Sequence, residues 1–185
     1  MTIAGILLAA GRSERMGGVN KLLAPWGSGF VVEAVWKTML GAGLERIVVV
    51  AGFEAPRVQA VLPGATVVRN ARFEEGLGTS IAAGVEAAGA AEGYLIVLGD
   101  MPRVPPDHLR ALVAERSDET TIVASRTEGR LGPPVLFGGA YRGELGALSG
   151  DEGARVLLHR HADQVRAVDL APSEAADIDH PQDLV

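Results

Sequence analysis

The sequence predicts a three-layer α/β domain built on a mostly parallel sheet, with one antiparallel strand late in the chain. Two observations carry this. Short apolar runs at residues 3–8, 47–50 and 94–98 have the continuity of strands buried on both faces. Segments of helical period separate them, giving strand–helix–strand–helix–strand, the order of a parallel sheet with helices on both faces. At 185 residues, 48% of them hydrophobic, the chain is expected to form one domain, residues 1–185, with a sizeable core.

The first strand passes from Leu8 into three small residues, Ala9, Ala10 and Gly11. Arg12-Ser13-Glu14-Arg15-Met16-Gly17-Gly18-Val19-Asn20-Lys21 follows. Small residues bring backbone close to a ligand, glycines let amide N–H groups converge on an anion, and cations neutralise it. A strand, a Gly-rich turn and a fixed lysine are the parts of a phosphate site. The chain has only two lysines, Lys21 and Lys37, against a background of arginine, and a compact ammonium suits phosphate oxygens. The stretch is not a Walker A loop, since Gly-Lys-Ser/Thr is missing. Nor is it a dinucleotide fingerprint, since no G-x-G-x-x-G occurs. A surface loop with scattered charge is the plain alternative.

Next, residues 22–30 lead through Pro25, Trp26, Gly27 and Gly29 into a helix at 31–40. Its Val32, Val35, Trp36 and Met39 share one face and read as core, and Gly41 and Gly43 end it. A strand at 47–51, a short helix at 55–62 and a strand at 66–68 come after it. Asn70 to Ser80 then opens an Ala-rich helix at 80–88, with Thr79 or Ser80 as its N-cap. Gly78, Thr79 and Ser80 there offer amides and hydroxyls to an anion, beside the plainer reading of a capped helix. The fourth buried strand ends in Gly99-Asp100-Met101-Pro102. Asp100 and Gly11 both stand at carboxyl ends of strands, so they are expected to face one crevice. A turn or capping role is the alternative for Asp100. A helix from Pro105-Pro106-Asp107 to about 116 and a strand at 120–124 follow. Residues 132–137 form a strand entered through prolines, which suits an edge or an antiparallel position. A helix with Val156, Leu157 and Leu158, a last strand at 165–170 and a terminal helix with Asp183 as first-turn charge complete the chain. His108, His159, His161 and His180 lack metal-like spacing.

Leu-Ala-Ala-Gly-x-Ser-x-Arg-Met-Gly-Gly-x-Asn-Lys resembles the signature loop of the MobA-like nucleotidyltransferases, nearest to their molybdenum cofactor cytidylyltransferase branch. The resemblance runs from about Ile3 to Leu184. It takes in Asn70-x-x-Phe73-x-x-Gly76-x-x-x-Ser80, Gly99-Asp100-Met101-Pro102, the Gly150-to-Arg155 stretch and Asp177-Ile178-Asp179-His180-Pro181-Gln182-Asp183. It implies a Rossmann-like nucleotidyltransferase (GT-A-like) fold. It also implies transfer of a nucleoside monophosphate, with CTP as donor and molybdopterin as acceptor, releasing pyrophosphate. Under it Arg15, Lys21 and Asp100 are catalytic. Leu8, Ala9, Ala10, Gly11, Arg12, Ser13, Lys21, Asn70, Gly78, Thr79 and Ser80 bind nucleotide. Asp100 and Asp179 hold Mg2+, and Arg155 is a candidate contact to acceptor phosphate. Ala10 replaces a glycine of the guanylyl branch, which favours CTP over GTP. The sequence departs from the branch at Pro133, where Gly-His-Pro-Val is usual, so the acceptor's identity is open there.

The net charge of −6 argues against a general nucleic-acid or membrane-surface binder. The absence of cysteine excludes disulfides, Cys-ligated zinc and thiol catalysis. No apolar run approaches the roughly 20 residues of a membrane span, and the N-terminus lacks a basic start. The cytoplasm is the expected compartment, and a molybdoenzyme receiving the product is a possible partner. Three rival readings stand: an NTP-transferase for a sugar or polyol phosphate, an oxidoreductase, and a non-catalytic molybdenum-cofactor carrier.

Overall fold

The computed structural model describes residues 2–13, 16 and 19–184. Strands β1 (Ile3–Ala9), β4 (Arg46–Ala51), β5 (Thr66–Arg69), β6 (Gly93–Leu98), β7 (Ile122–Thr127), β8 (Arg130–Gly138) and β9 (Val165–Asp169) make one sheet. Their order is β5-β4-β1-β6-β8-β7-β9. β1 pairs in parallel with β4 and β6, β4 with β5, and β7 with β9. β8 alone runs antiparallel, to β6 and to β7. It is the expected antiparallel strand, and it lies inside the sheet, not at its edge. Pro133 and Pro134 cannot donate to a ladder. The β6–β8 register accordingly ends at Ile96 opposite Val135, and the β7–β8 register shifts between Ala124 and Ser125.

β1 is buried along its whole length, and successive residues face opposite cores. Leu7, Val49, Leu95, Val97, Val123 and Leu136 belong to the apolar cluster under α1 (Val31–Gly41), α2 (Ala55–Ala60) and α4 (Pro106–Ala114). Ile6, Leu8, Val48, Val50, Ile96 and Phe137 belong to the cluster under α3 (Leu77–Ala88), α5 (Arg142–Gly146) and α6 (Arg155–Arg160). The continuous apolar runs are the sequence trace of this two-sided burial. A last short helix is α7 (Pro172–Ala175).

Several local features differ from expectation, among them the terminal helix, which is a short 3-10 turn at Pro181–Leu184. Residues 25–30 form a small hairpin, β2 (Pro25–Trp26) and β3 (Gly29–Phe30), turning at Gly27 with φ +56. β7 starts at Ile122 because Asp118 accepts hydrogen bonds from the Thr120 N–H at 2.8 Å and the Thr121 hydroxyl at 3.0 Å, which holds 118–121 as a turn. α3 starts at Leu77, three residues before Ser80, with Gly76 (φ +108) as the residue before it; neither Thr79 nor Ser80 is the N-cap. Among the described residues no helix is long and apolar enough to cross a membrane.

The chain builds β4 and β5 on one side of β1, then crosses to place β6 on the other. That reversal opens a crevice beyond the carboxyl ends of β1 and β6.

Candidate active site

Leu8 and Leu98 pair at the ends of β1 and β6, and the Gly99 N–H donates to the Leu8 carbonyl at 2.9 Å. A Cβ at position 99 would fall 2.8 Å from that oxygen. Glycine there lets Asp100 approach the start of the Gly-rich loop, as the sequence predicted for Asp100 and Gly11.

The loop returns through Asn20 to a 3-10 turn, Lys21–Leu23. Buried Asn20 caps the turn, its Oδ1 accepting from the Leu22 N–H at 3.1 Å. Ser13 takes a left-handed φ of +57 and its hydroxyl accepts from the Lys21 N–H at 2.9 Å. Leu22, 3% exposed, anchors the turn in the core. The Lys21 backbone is therefore fixed by two side chains. Its ammonium reaches Asp100 Oδ2 at 2.6 Å and Asp179 Oδ1 at 2.8 Å. Burial lowers the Lys21 pKa, but the charges and hydrogen bonds of Asp100 and Asp179 outweigh it, and the net shift is upward. Lys21 stays charged.

Asp179 arrives from the C-terminal tail together with Asp177, which the sequence reading did not select. The signal was present: in Asp177-Ile178-Asp179 alternation puts both carboxylates on one side of an extended segment. Ile178, fully buried, points the other way and its N–H donates to the Asp100 carbonyl at 2.9 Å. One ligand oxygen from each of Asp100, Asp177 and Asp179 lies within 4.8 Å of the others. Partial desolvation, then the charges of Asp100 and Asp179, hold the Asp177 carboxyl above its usual range. Asp100 Oδ1 is buried with no hydrogen-bond partner among the described residues. Three converging carboxylates, one with an unsatisfied oxygen, fit a hard divalent cation.

Beside this cluster is a cavity of about 330 Å³. Leu8, Ala10, Leu22, Phe73, Leu77 and Leu98 give it apolar walls, and Gly11, Ser80, Asp100 and Asp151 add polar groups. A cavity of about 410 Å³ adjoins it, lined by Gly11, Arg12, Ser13, Lys21, Glu74 and Asp179 among others. Arg12 pairs with Glu74 and sits 5.8 Å from the Phe73 ring centre. Asp151, on both linings, was another residue missed.

Other predicted residues make contacts within the protein. Ala9 is fully buried and packs in the core. Asn70 is buried, and its Nδ2 donates to the hydroxyls of Thr79 at 2.9 Å and Ser80 at 3.0 Å. Its Oδ1 accepts from the Arg72 N–H at 2.9 Å. Asn70 and Thr79 thus lock the loop before α3. The Gly78 N–H donates to the Gly150 carbonyl at 2.9 Å, and a Cβ there would meet Ser149 backbone at 2.7 Å. The chain's own carbonyl takes the amide that the sequence reading offered to an anion. Arg15 lies outside the described residues. Arg155 is exposed at the start of α6 and lines neither cavity.

The MobA-like NTP transferase domain model matches residues 5–165. Purine catabolism protein PucB of Bacillus subtilis is 34% identical over 98% of this chain and 93% of its own. Nicotine blue oxidoreductase of Paenarthrobacter nicotinovorans is 32% identical over 96% and 92%. The structure of Rv0371c from Mycobacterium tuberculosis in complex with manganese superposes with a TM-score of 0.83 at 29% identity, over 99% of this chain and 96% of that one.

Proposed function

Since this chain belongs to the MobA-like NTP transferase domain family, we propose that this nucleotidyltransferase moves CMP from CTP to a phosphorylated small-molecule acceptor, molybdopterin. The observation that carries the reading is the Lys21–Asp100–Asp179 cluster at the carboxyl ends of β1 and β6, beside a cavity with apolar walls. The acceptor phosphate attacks the α-phosphorus, the bond to the β-phosphate oxygen breaks, and pyrophosphate leaves. Asp100, Asp177 and Asp179 hold the divalent ion, Mg2+ in the cell, which supplies positive charge and orientation to the phosphates. Lys21 turns from the carboxylates toward the leaving phosphates, and Arg12 and Arg15 supply further positive charge to them. The base enters the cavity of about 330 Å³, against Ala10 and Ser80. No general base is required, because a phosphate acceptor is already ionised. The work is positioning and charge. We place the enzyme in the cytoplasm, as a single domain, handing its product to a molybdoenzyme.

Two features bear on the rivals. Pro133 brings no hydrogen-bond donor where the cytidylyltransferase branch usually has histidine, which keeps a sugar or polyol phosphate among the acceptors to test. The oxidoreductase relative names a different chemistry, yet this chain has no G-x-G-x-x-G. The test is pyrophosphate release across the four NTPs, with molybdopterin and with a sugar-phosphate panel, and Asp100→Asn as control. CTP with molybdopterin should give the fastest release, and Asp100→Asn should lose at least ~10²-fold. Turnover only with a sugar phosphate refutes the acceptor. Consumption of NAD(P)H without pyrophosphate refutes the reaction. Product-free binding of molybdopterin favours a carrier.

A further inference from the structure

Asp177 and Asp179 come from the far end of the chain, so the tail must be held against the loop that carries Asp100. Ile178 does part of this from the core, packing with Ala24 and Val31. A second set of contacts runs outside the cluster. Arg103 leaves the same loop as Asp100. Its guanidinium lies 4.7 Å from the Trp26 ring centre, and its Nη2 donates to the Asp183 carbonyl at 2.8 Å. The Asp183 carboxylate accepts from the backbone N–H of Asp179 at 2.9 Å and of His180 at 2.7 Å. The path from Arg103 to the Asp179 backbone is continuous.

We propose that Arg103 and Asp183 are positioning residues that set the divalent-ion affinity of the site by fixing the Asp177–Asp179 segment against Asp100. The inference rests on the reading of Asp100, Asp177 and Asp179 as the metal site. A segment already fixed does not have to be ordered by the ion, so its carboxylates bind more tightly. Outer partners that orient metal ligands typically change metal affinity by about 10–100-fold.

Charge and positioning predict opposite results at Arg103. Removing a cation near three carboxylates should, by Coulomb attraction alone, tighten cation binding. Loss of positioning should weaken it. The experiment is Mn2+ titration without nucleotide, by calorimetry and by the paramagnetic resonance of free Mn2+. The proteins are wild type, Arg103→Ala, Arg103→Lys, Asp183→Ala, Asp183→Asn and Asp100→Asn. Arg103→Ala and Asp183→Ala should each weaken Mn2+ binding about 10–100-fold. Arg103→Lys should recover part of the loss, and Asp183→Asn most of it, since its amide oxygen still accepts from the two N–H groups. Affinity unchanged in both alanine variants, or tighter in Arg103→Ala, overturns the proposal. If Arg103→Ala does not fold, the contrast between Asp183→Ala and Asp183→Asn decides alone. Should wild type fail to bind Mn2+, or Asp100→Asn bind it equally well, the metal reading itself falls, and this inference with it.

Discussion

Lys21 stands between two sets of partners, the carboxylates it touches and the phosphates proposed for it. Its Nζ bridges Asp100 and Asp179, so it offsets part of the negative charge of the cluster proposed to hold a cation. Lys21→Ala should therefore weaken NTP binding while leaving the carboxylates able to take Mn2+ at least as tightly without nucleotide. Lys21→Arg should restore NTP affinity only in part, because a planar guanidinium is bulkier beside the loop backbone. Calorimetry with CTP and with Mn2+ separates the two effects, and equal CTP affinity in wild type and Lys21→Ala would remove the phosphate role. Lys21 was legible in sequence because lysine is rare in this chain and follows a Gly-rich turn. Asp100 was legible as a strand-end carboxylate. Asp177 was passed over, although the Asp177-Ile178-Asp179 alternation pairs it with Asp179. Its place follows from the docking of Ile178. Gly78 shows the converse limit. Its residue type suits a ligand, but its amide donates to the Gly150 carbonyl, in a loop some 70 residues later.

At the scale of elements, α4 is joined to the sheet by a buried polar chain. His108, in its first turn, lies 2.8 Å from the Ser125 hydroxyl of β7, which donates to the Pro134 carbonyl of β8 at 2.8 Å. Because the hydroxyl proton goes to the carbonyl, the imidazole donates from Nε2. Burial lowers the His108 pKa, against a smaller opposing effect of Glu174. A second proton would also put positive charge at a helix N-terminus, which the helix dipole disfavours. The folded pKa is below the unfolded one, so the unfolded chain binds more protons under the unfolded value of 6.5. Stability is then full above that pH and is lost as pH falls toward the folded pKa. Denaturant unfolding at pH 7.5 and pH 5 should show a larger loss for wild type than for His108→Gln, whose amide can still donate to Ser125. Parallel losses would show that His108 does not titrate with folding. The elements themselves were largely legible, because two-sided burial writes β1, β4 and β6 as continuous apolar runs. The β2–β3 hairpin was not: two-residue strands have no period to detect. The early start of α3 was missed because Gly76 caps it through backbone conformation and not through a side-chain acceptor.

At the scale of the whole molecule, the proposed site is the point where the chain closes on itself. Lys21 and Asp179, in direct contact, are 158 residues apart. A ligand that needs this arrangement binds the native chain and not the unfolded one, so it must raise the melting temperature. The net charge of −6 gives anionic nucleotides no long-range attraction, and the binding free energy has to arise locally, at the cluster and cavity. With CTP and Mn2+ at about 100 times the dissociation constant, stabilisation is about 2.7 kcal/mol. At roughly 2–4 °C per kcal/mol for a chain of this size, that is a rise of about 5–11 °C. GTP at the same concentration should give a smaller rise. Ala10, 7% exposed, lines the cavity of about 330 Å³, and under the proposed reading its methyl narrows the wall toward the base. Steric contact and unpaired edges against guanine are worth about 1–3 kcal/mol, which lowers the GTP shift to about 4–7 °C at the low end of that range and about 1 °C at the high end. Ala10→Gly should narrow the gap between the two nucleotides, and Asp100→Asn should reduce both shifts. Differential scanning fluorimetry on the three proteins reads all of this in one series. Equal shifts with CTP and GTP in wild type, or a gap that Ala10→Gly leaves unchanged, would mean that position 10 packs under the loop without selecting the base.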